Sequence, residues 1–305
     1  MTVRIGIDLG GTKIEIAALD DMNRIVERAR VPTPSGDYQA TLRVLTELLH
    51  RTEHAIGARP GHDATIGIGT PGTISPTTGL LRNANSTCLN GQPFKQDFEK
   101  IIGREIRIEN DANCFALSEA VDGAGQGARI VFGVILGTGV GGGIVIEGRV
   151  LKGANEIGCE WGHNCLPWPR ANEIPGPRCY CGRRACIETF LSGRAMALDH
   201  AHEGAETLTS EQIVSLALAG DEACMATLGR YEERLARALA SIINIVDPDV
   251  IVLGGGMSNV KRWYETVPGL WGRHVFADAV RTRLVPNVHG DSSGVRGAAW
   301  LWGAG

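Results

Sequence analysis

The segments "RIGIDLGGTKIEIAAL", Arg4 to Leu19, and "IVFGVILGTGVGGGIVIEG", Ile130 to Gly148, share one organisation. Each runs an apolar strand into a glycine-rich turn that carries a threonine, then runs an apolar strand out again. In the first, Ile5 and Ile7 alternate into Asp8, and Ile14, Ile16 and Ala18 alternate away, the period-two pattern of a β-hairpin. One device used twice predicts an internally duplicated architecture. A third cluster, in "PDVIVLGGGMSN" from Pro248 to Asn259, reads as a buried strand entering three glycines and then a helix start at Ser258 or Asn259.

Glycine at a hairpin tip lets backbone N–H groups approach an anion, and the threonine adds a hydroxyl donor. Asp8, beside the first turn, is placed to hold a magnesium ion or its water. One such turn alone reads as nothing more than a tight turn. Two matched turns and a third glycine cluster shift the reading toward nucleotide phosphates. None fits a Walker loop or a strand–GxGxxG–helix site, so the nucleotide is expected on hairpins rather than on a helix-capping loop.

At 305 residues the chain strains a single core, and two domains are expected. A formal charge of -4 gives no footing for nucleic acid or an anionic membrane. The opening "MTVRIGIDLGGT" enters a strand pattern with no apolar signal-peptide region, and no apolar run is long enough to cross a bilayer. A cytoplasmic enzyme is expected.

Between the hairpins, helix and strand patterns alternate. Tyr38 to Ala55 has helical spacing, ended by Gly57 and Pro60, and Glu222 to Val246 reads as a long amphipathic helix stopped by Asp247-Pro248. "ATIGIGTPG" is strand-like. "EIRIENDANCFALSEAVDGA" reads as a strand, a break and a helix ended by Gly123. In it, Asn110 or Asp111 suits the cap of a helix beginning at Ala112, yet two polar residues exceed what one cap needs. A carboxylate at a corner between two phosphate-binding hairpins is equally suited to accept a proton from an attacking hydroxyl. The domain junction is expected there, giving residues 1–111 plus 294–305 and residues 112–293, with Gly294 to Trp302 a helix returning to the first domain.

The stretch "RCYCGRRACIE", Arg178 to Glu188, places three cysteines in a short basic loop. Disulfide, metal and plain packing are all open, though a reducing compartment weakens the first. Cys88, Cys114, Cys159, Cys165 and Cys224 are scattered and read as small buried hydrophobes. The upstream "NCLPWPRANEIPGPR" is proline-rich and shows little helix or strand pattern.

Together "IGIDLGGTKIEIAAL", "ENDANCFALSEA", "LGTGVGGG", "EWGH", "CYCGRRACIE" and "LGGGMSN" resemble the ROK family, from Ile5 to about Leu301. "NANSTCLNGQPF" and "HGDSSGVRGAAWLW" look most like its bacterial fructokinase branch. The resemblance implies an α/β, actin-like, ribonuclease-H-like duplicated fold, two domains around a cleft, and the cofactors ATP and Mg2+. It implies that Asp8, Gly10, Gly11, Thr12 and Lys13 form the first phosphate motif, and Gly137, Thr138 and Gly139 the second. Gly254, Gly255 and Gly256 match the adenosine motif. Asp111 matches the catalytic base, with Asn110, Glu160, His163 and Glu188 as sugar contacts.

It also implies that His163, Cys179, Cys181 and Cys186 hold a structural Zn2+ in a loop spanning residues 159–188. Four such ligands suit a closed tetrahedral site, and the metal would supply stability that the proline-rich segment lacks. The gap from His163 to Cys179 is longer than in many members, and two further departures stand out. Ala185 lies where the family usually has glycine, which disfavours a positive φ and would shift the turn, and Cys165 lies near enough to His163 to compete as a ligand. The expected activity is phosphorylation of D-fructose at its 6-hydroxyl by ATP, in a homodimer, with Asp111 deprotonating the hydroxyl. Glucose, mannose or N-acetylglucosamine is the alternative acceptor. A sugar-responsive regulator is the non-enzyme alternative, disfavoured because only four residues precede the first strand core.

Overall fold

The computed structural model describes residues 3–59, 63–84, 86–204 and 206–303. Pro60, half of the expected stop signal after the first helix, lies outside them. In the first half, β1 (Val3–Leu9), β2 (Lys13–Leu19) and β3 (Ile25–Pro32) form a meander, followed by α1 (Tyr38–Ala55), β4 (Ala64–Thr70), the short pair β5 (Thr73–Ile74) and β6 (Leu81–Arg82), α2 (Phe94–Ile102) and β7 (Arg107–Asn110). The main sheet has the order β3-β2-β1-β4-β7, antiparallel across the meander and parallel from β1 onward.

The second half repeats this. After α3 (Asp111–Asp122) come β8 (Ile130–Leu136), β9 (Val140–Ile146) and β10 (Arg149–Val150), then α4 (Glu188–Leu191), α5 (Gly193–His202), α6 (Ser210–Leu218) and α7 (Glu222–Val246). They are followed by β11 (Val250–Gly254), α8 (Arg262–Trp271), β12 (Arg283–Pro286) and α9 (Ser293–Ala299). The sheet order is β10-β9-β8-β11-β12, with the same alternation of antiparallel and parallel pairs. The two sheets are topological copies, so the paired hairpins do reflect a duplication.

Local chemistry sets the boundaries. Asp37 caps α1 by accepting the Ala40 N–H, and Gly57 at φ 66° ends it, the left-handed stop that glycine makes without steric cost. Leu42, Leu45, Leu48 and Leu49 put its apolar stripe against the first sheet, each contributing about 2 kcal/mol by burial. Helix α7 ends where Asp247 turns left-handed ahead of Pro248. Its inner face packs with Phe132, Trp161, Phe190 and Trp263 in the second core.

No break separates β7 from α3: the strand ends at Asn110 and the helix begins at Asp111. Beyond "GGG" a 3-10 turn covers Gly256–Asn259, and the regular helix waits until Arg262. The last segment does return to the first sheet. Helix α9 lies so close to β1, β4 and α3 that a Cβ on Gly6, Gly67 or Gly297 would collide with the backbone oxygens of Val295, Ala298 or Cys114 respectively. The proline-rich segment is held by more than the cysteine loop. Buried Glu173 accepts from Arg237 at 2.7 Å and Arg234 at 2.9 Å. Burial raises its carboxyl pKa, but these hydrogen bonds prevail and lower it to about 2.

Candidate active site

The first hairpin tip, the β11 exit and the start of α3 share one cavity, which Ile135 of the second hairpin also lines. In the first tip the Gly10 N–H donates to the Lys13 carbonyl at 3.0 Å, closing a turn that leaves Gly11 and Thr12 exposed. A Cβ on Gly10 would lie 2.9 Å from that carbonyl, so the turn has no room for a side chain there. In the second, the Gly137 N–H donates to the Gly139 carbonyl at 2.9 Å, leaving Thr138 exposed. Gly254 packs on the Phe115 ring, and Gly255 turns at φ 79° against the Leu136 carbonyl.

Asp8, Gly10, Asp111, Gly255 and Gly256 share one cavity of about 290 Å³. Asp291 lines it too and stands 3.9 Å from Lys13 Nζ at the mouth. Asp291 escaped the sequence reading, although the "HGDSSG" motif pointed to its neighbourhood. A larger cavity, about 720 Å³, runs along β7 from Asn110 to the C-terminal turn and contains Lys152 and Trp302. It holds none of Asp8, Asp111 or Gly10, all of which line the smaller cavity.

Asn110 and Asp111 divide the work at the α3 start. The Asn110 side-chain oxygen accepts from Ala112 N–H at 2.9 Å and Asn113 N–H at 3.4 Å, which makes Asn110 the cap. Asp111 Oδ1 accepts the Ala112 N–H at 2.7 Å. Burial raises Asp111 to about 6, with the Ala112 N–H opposing and the Glu160 charge adding. A carboxyl poised near neutral pH is suited to general-base work. Asp8 rises to about 7 through burial and the charges of Asp111 and Glu15. Two crowded carboxylates facing a glycine-rich cavity form a donor set that fits a magnesium–phosphate group.

On the other flank, His163 Nδ1 and the sulfurs of Cys179, Cys181 and Cys186 lie within 4.8 Å of one another. The separations are 3.6 Å between Cys179 Sγ and His163 Nδ1 and 3.6 Å between Cys181 Sγ and Cys186 Sγ. One nitrogen and three sulfurs at such spacings fit a tetrahedral zinc. Cys165 is exposed, its sulfur 3.9 Å from the Arg184 carbonyl, and it is not one of the four clustered residues. The expected loss of a positive φ at Ala185 is corrected: the residue sits at φ 57°, because the loop's other ties hold the turn at a strain of about 1 kcal/mol.

Glu160 is exposed, and Glu188 is tied to the second hairpin, its Oε2 accepting the Val140 N–H at 2.9 Å. Tyr180, between two of the cysteines, puts its hydroxyl 2.9 Å from His163 Nε2. Sequence reasoning passed over Tyr180, and an aromatic inside the Cys-x-Cys turn was the available signal.

Comparison with known proteins bears on the family and the fold. The ROK family model covers residues 4–304. Curated relatives include an N-acetyl-D-glucosamine kinase of Yersinia pseudotuberculosis, 38% identical over 97% of each chain. Another, from Vibrio cholerae, is 39% identical over 97% of this chain and 98% of its own. A ROK hexokinase of Thermus thermophilus superposes with TM-score 0.85 at 32% identity, covering 98% of this chain and 97% of that one. A ROK glucokinase of Streptomyces griseus, solved with glucose and AMPPNP, gives 0.77 at 26% identity over 98% of both. The chain has the actin-like α/β kinase fold and belongs to the ROK family.

Proposed function

We propose that the protein transfers the γ-phosphoryl group of ATP to the 6-hydroxyl of a hexose. The observation carrying this is Asp111, raised to about 6 in a cavity shared with Asp8 and glycines of the first hairpin and the β11 exit. In this reading Asp111 orients the hydroxyl and takes its proton as the oxygen attacks in line. The N–H groups and hydroxyls of Gly10, Gly11, Thr12, Gly137, Thr138 and Gly139 hold the phosphates, with Lys13 at the mouth. Gly254, Gly255 and Gly256 give the adenosine a flat approach. Bound magnesium would offset charge on the phosphates, with Asp8 holding it or its water. Asn110, Glu160, His163 and Glu188 hold the sugar, and zinc on His163, Cys179, Cys181 and Cys186 fixes their loop. The division into residues 1–111 plus 294–305 and residues 112–293 belongs to this proposal, as does a homodimer.

Two acceptors each have support. The curated N-acetyl-D-glucosamine kinases favour that sugar more directly than D-fructose. The motifs "NANSTCLNGQPF" and "HGDSSGVRGAAWLW" favour D-fructose through the branch they resemble. ADP release measured across a panel of hexoses and N-acetylhexosamines with Mg-ATP, and the product's phosphate position read by NMR, tests both. A 6-phosphate is expected; phosphate on another carbon, or no turnover of any sugar, rejects the proposal.

A further inference from the structure

We infer that Tyr180 is a specificity-determining residue that narrows the sugar end of the cleft and disfavours acceptors with a bulky group at C2. The inference rests on the hexose-kinase reading and bears on whether its acceptor carries an acetamido group at C2.

The placement of Tyr180 carries it. Its hydroxyl lies 2.9 Å from His163 Nε2, and the two rings meet edge to face with centroids 5.1 Å apart. The other His163 nitrogen, Nδ1, faces the cysteine sulfurs. A histidine whose Nδ1 serves a metal carries its proton on Nε2, so Nε2–H donates to the Tyr180 oxygen. The nitrogen proposed to meet a sugar hydroxyl thus points at the Tyr180 hydroxyl, which a bound sugar must share or displace. Yet Tyr180 is 81% exposed, so no packing reason requires so large a side chain there. An exposed aromatic whose polar tip is turned onto a proposed ligand contact is placed to read the ligand.

The first residues of β9 set the distance from the reacting end. A Cβ on Gly141 would lie 3.0 Å from Ala112 Cβ, next to Asp111. The Val140 N–H holds Glu188, and Gly162 backs onto the Val140 carbonyl beside His163. Asp111 therefore stands at one end of this short floor and His163 with Tyr180 at the other. A hexose whose 6-hydroxyl is at Asp111 points its C1–C2 edge at Tyr180. A C2 hydroxyl can hydrogen-bond to the tyrosine hydroxyl, which still has a proton to donate. An acetamido group needs the volume the phenol fills, and must displace it from His163.

D-Glucose and N-acetyl-D-glucosamine differ only at C2, so their ratio of kcat/KM reads the effect. In wild type the ratio is expected to favour glucose. Tyr180→Ala should shift it toward N-acetyl-D-glucosamine by about tenfold or more, the scale on which pocket contacts discriminate. Tyr180→Phe keeps the ring and should leave the ratio within about threefold of wild type while raising KM for both sugars. Metal content and the KM for ATP, measured on each variant, should match wild type. A wild type that prefers N-acetyl-D-glucosamine, or a Tyr180→Ala ratio within about twofold of wild type, overturns the role of Tyr180 alone. Failure of wild type to phosphorylate any hexose overturns the parent reading as well.

Discussion

Two neighbouring residues at the α3 start have different surroundings: Asn110 caps the helix, and Asp111 faces the cavity. Asn110 satisfies the orphan N–H groups at Ala112 and Asn113, which leaves one Asp111 oxygen free of the helix. Asp111→Asn should lower kcat by about a hundredfold or more, because the base is lost. Sugar affinity should change much less, since size and polarity persist. Wild-type kcat should fall below about pH 6 as Asp111 protonates, since the base acts ionised. A variant with near-wild-type kcat would leave Asp111 only a structural role. Asp8 makes the complementary case. Folded protein holds its proton more tightly than the unfolded chain, whose value is near 3.8, so this stability is full below 3.8. It is lost as pH rises through about 7. Asp8→Asn cannot ionise, so in EDTA its Tm advantage over wild type should grow from pH 5 to pH 8. A Tm difference that is flat across this range would count against crowding as the cause.

At the scale of elements, the cysteine loop couples the proposed sugar contacts to the second hairpin through Glu188 and Val140. Cys181→Ser should remove the zinc, about one per chain, because a neutral hydroxyl replaces a thiolate poorly. Sugar KM should then rise more than ATP KM; equal rises, or a wild type without zinc by mass spectrometry, would detach the loop from the sugar site. The segment 164–178 should stay folded, since Glu173 with Arg234 and Arg237 anchors it independently. That anchor shows where legibility stopped. The hairpins, α1 and α7 could be read because periods of two and 3.6 mark them locally, and their ends carry Asp37, Gly57 and Asp247. The cysteine–histidine cluster could be anticipated because three of its four members lie within eight residues. Glu173 meets its arginines across more than 60 positions, Asp291 reaches the cavity by tertiary placement, and so does the contact of Tyr180 with His163. Ala185 defied its own preference for φ because the surrounding loop overrides a cost of about 1 kcal/mol.

The whole molecule is two copies of one sheet joined by two helices that cross. Helix α3 leaves β7 for the second half, and α9 returns from β12 to lie on β1 and β4. Their crossing depends on Gly297, where a Cβ would strike the Cys114 carbonyl, a backbone group that no rotamer change can move. Gly297→Ala must push the helices apart, and the expected loss is about 1–3 kcal/mol, the usual cost of overpacking. Gly229 provides the control. It too is helical, but a Cβ there meets nothing within 4 Å, so Gly229→Ala should stabilise by about 0.5–1 kcal/mol through helix propensity. Opposite signs for one chemical change would locate the effect in the crossing. Urea unfolding of both variants reads it directly. If Gly297→Ala proves neutral or stabilising, α3 and α9 do not bear on one another as closely as the structure places them.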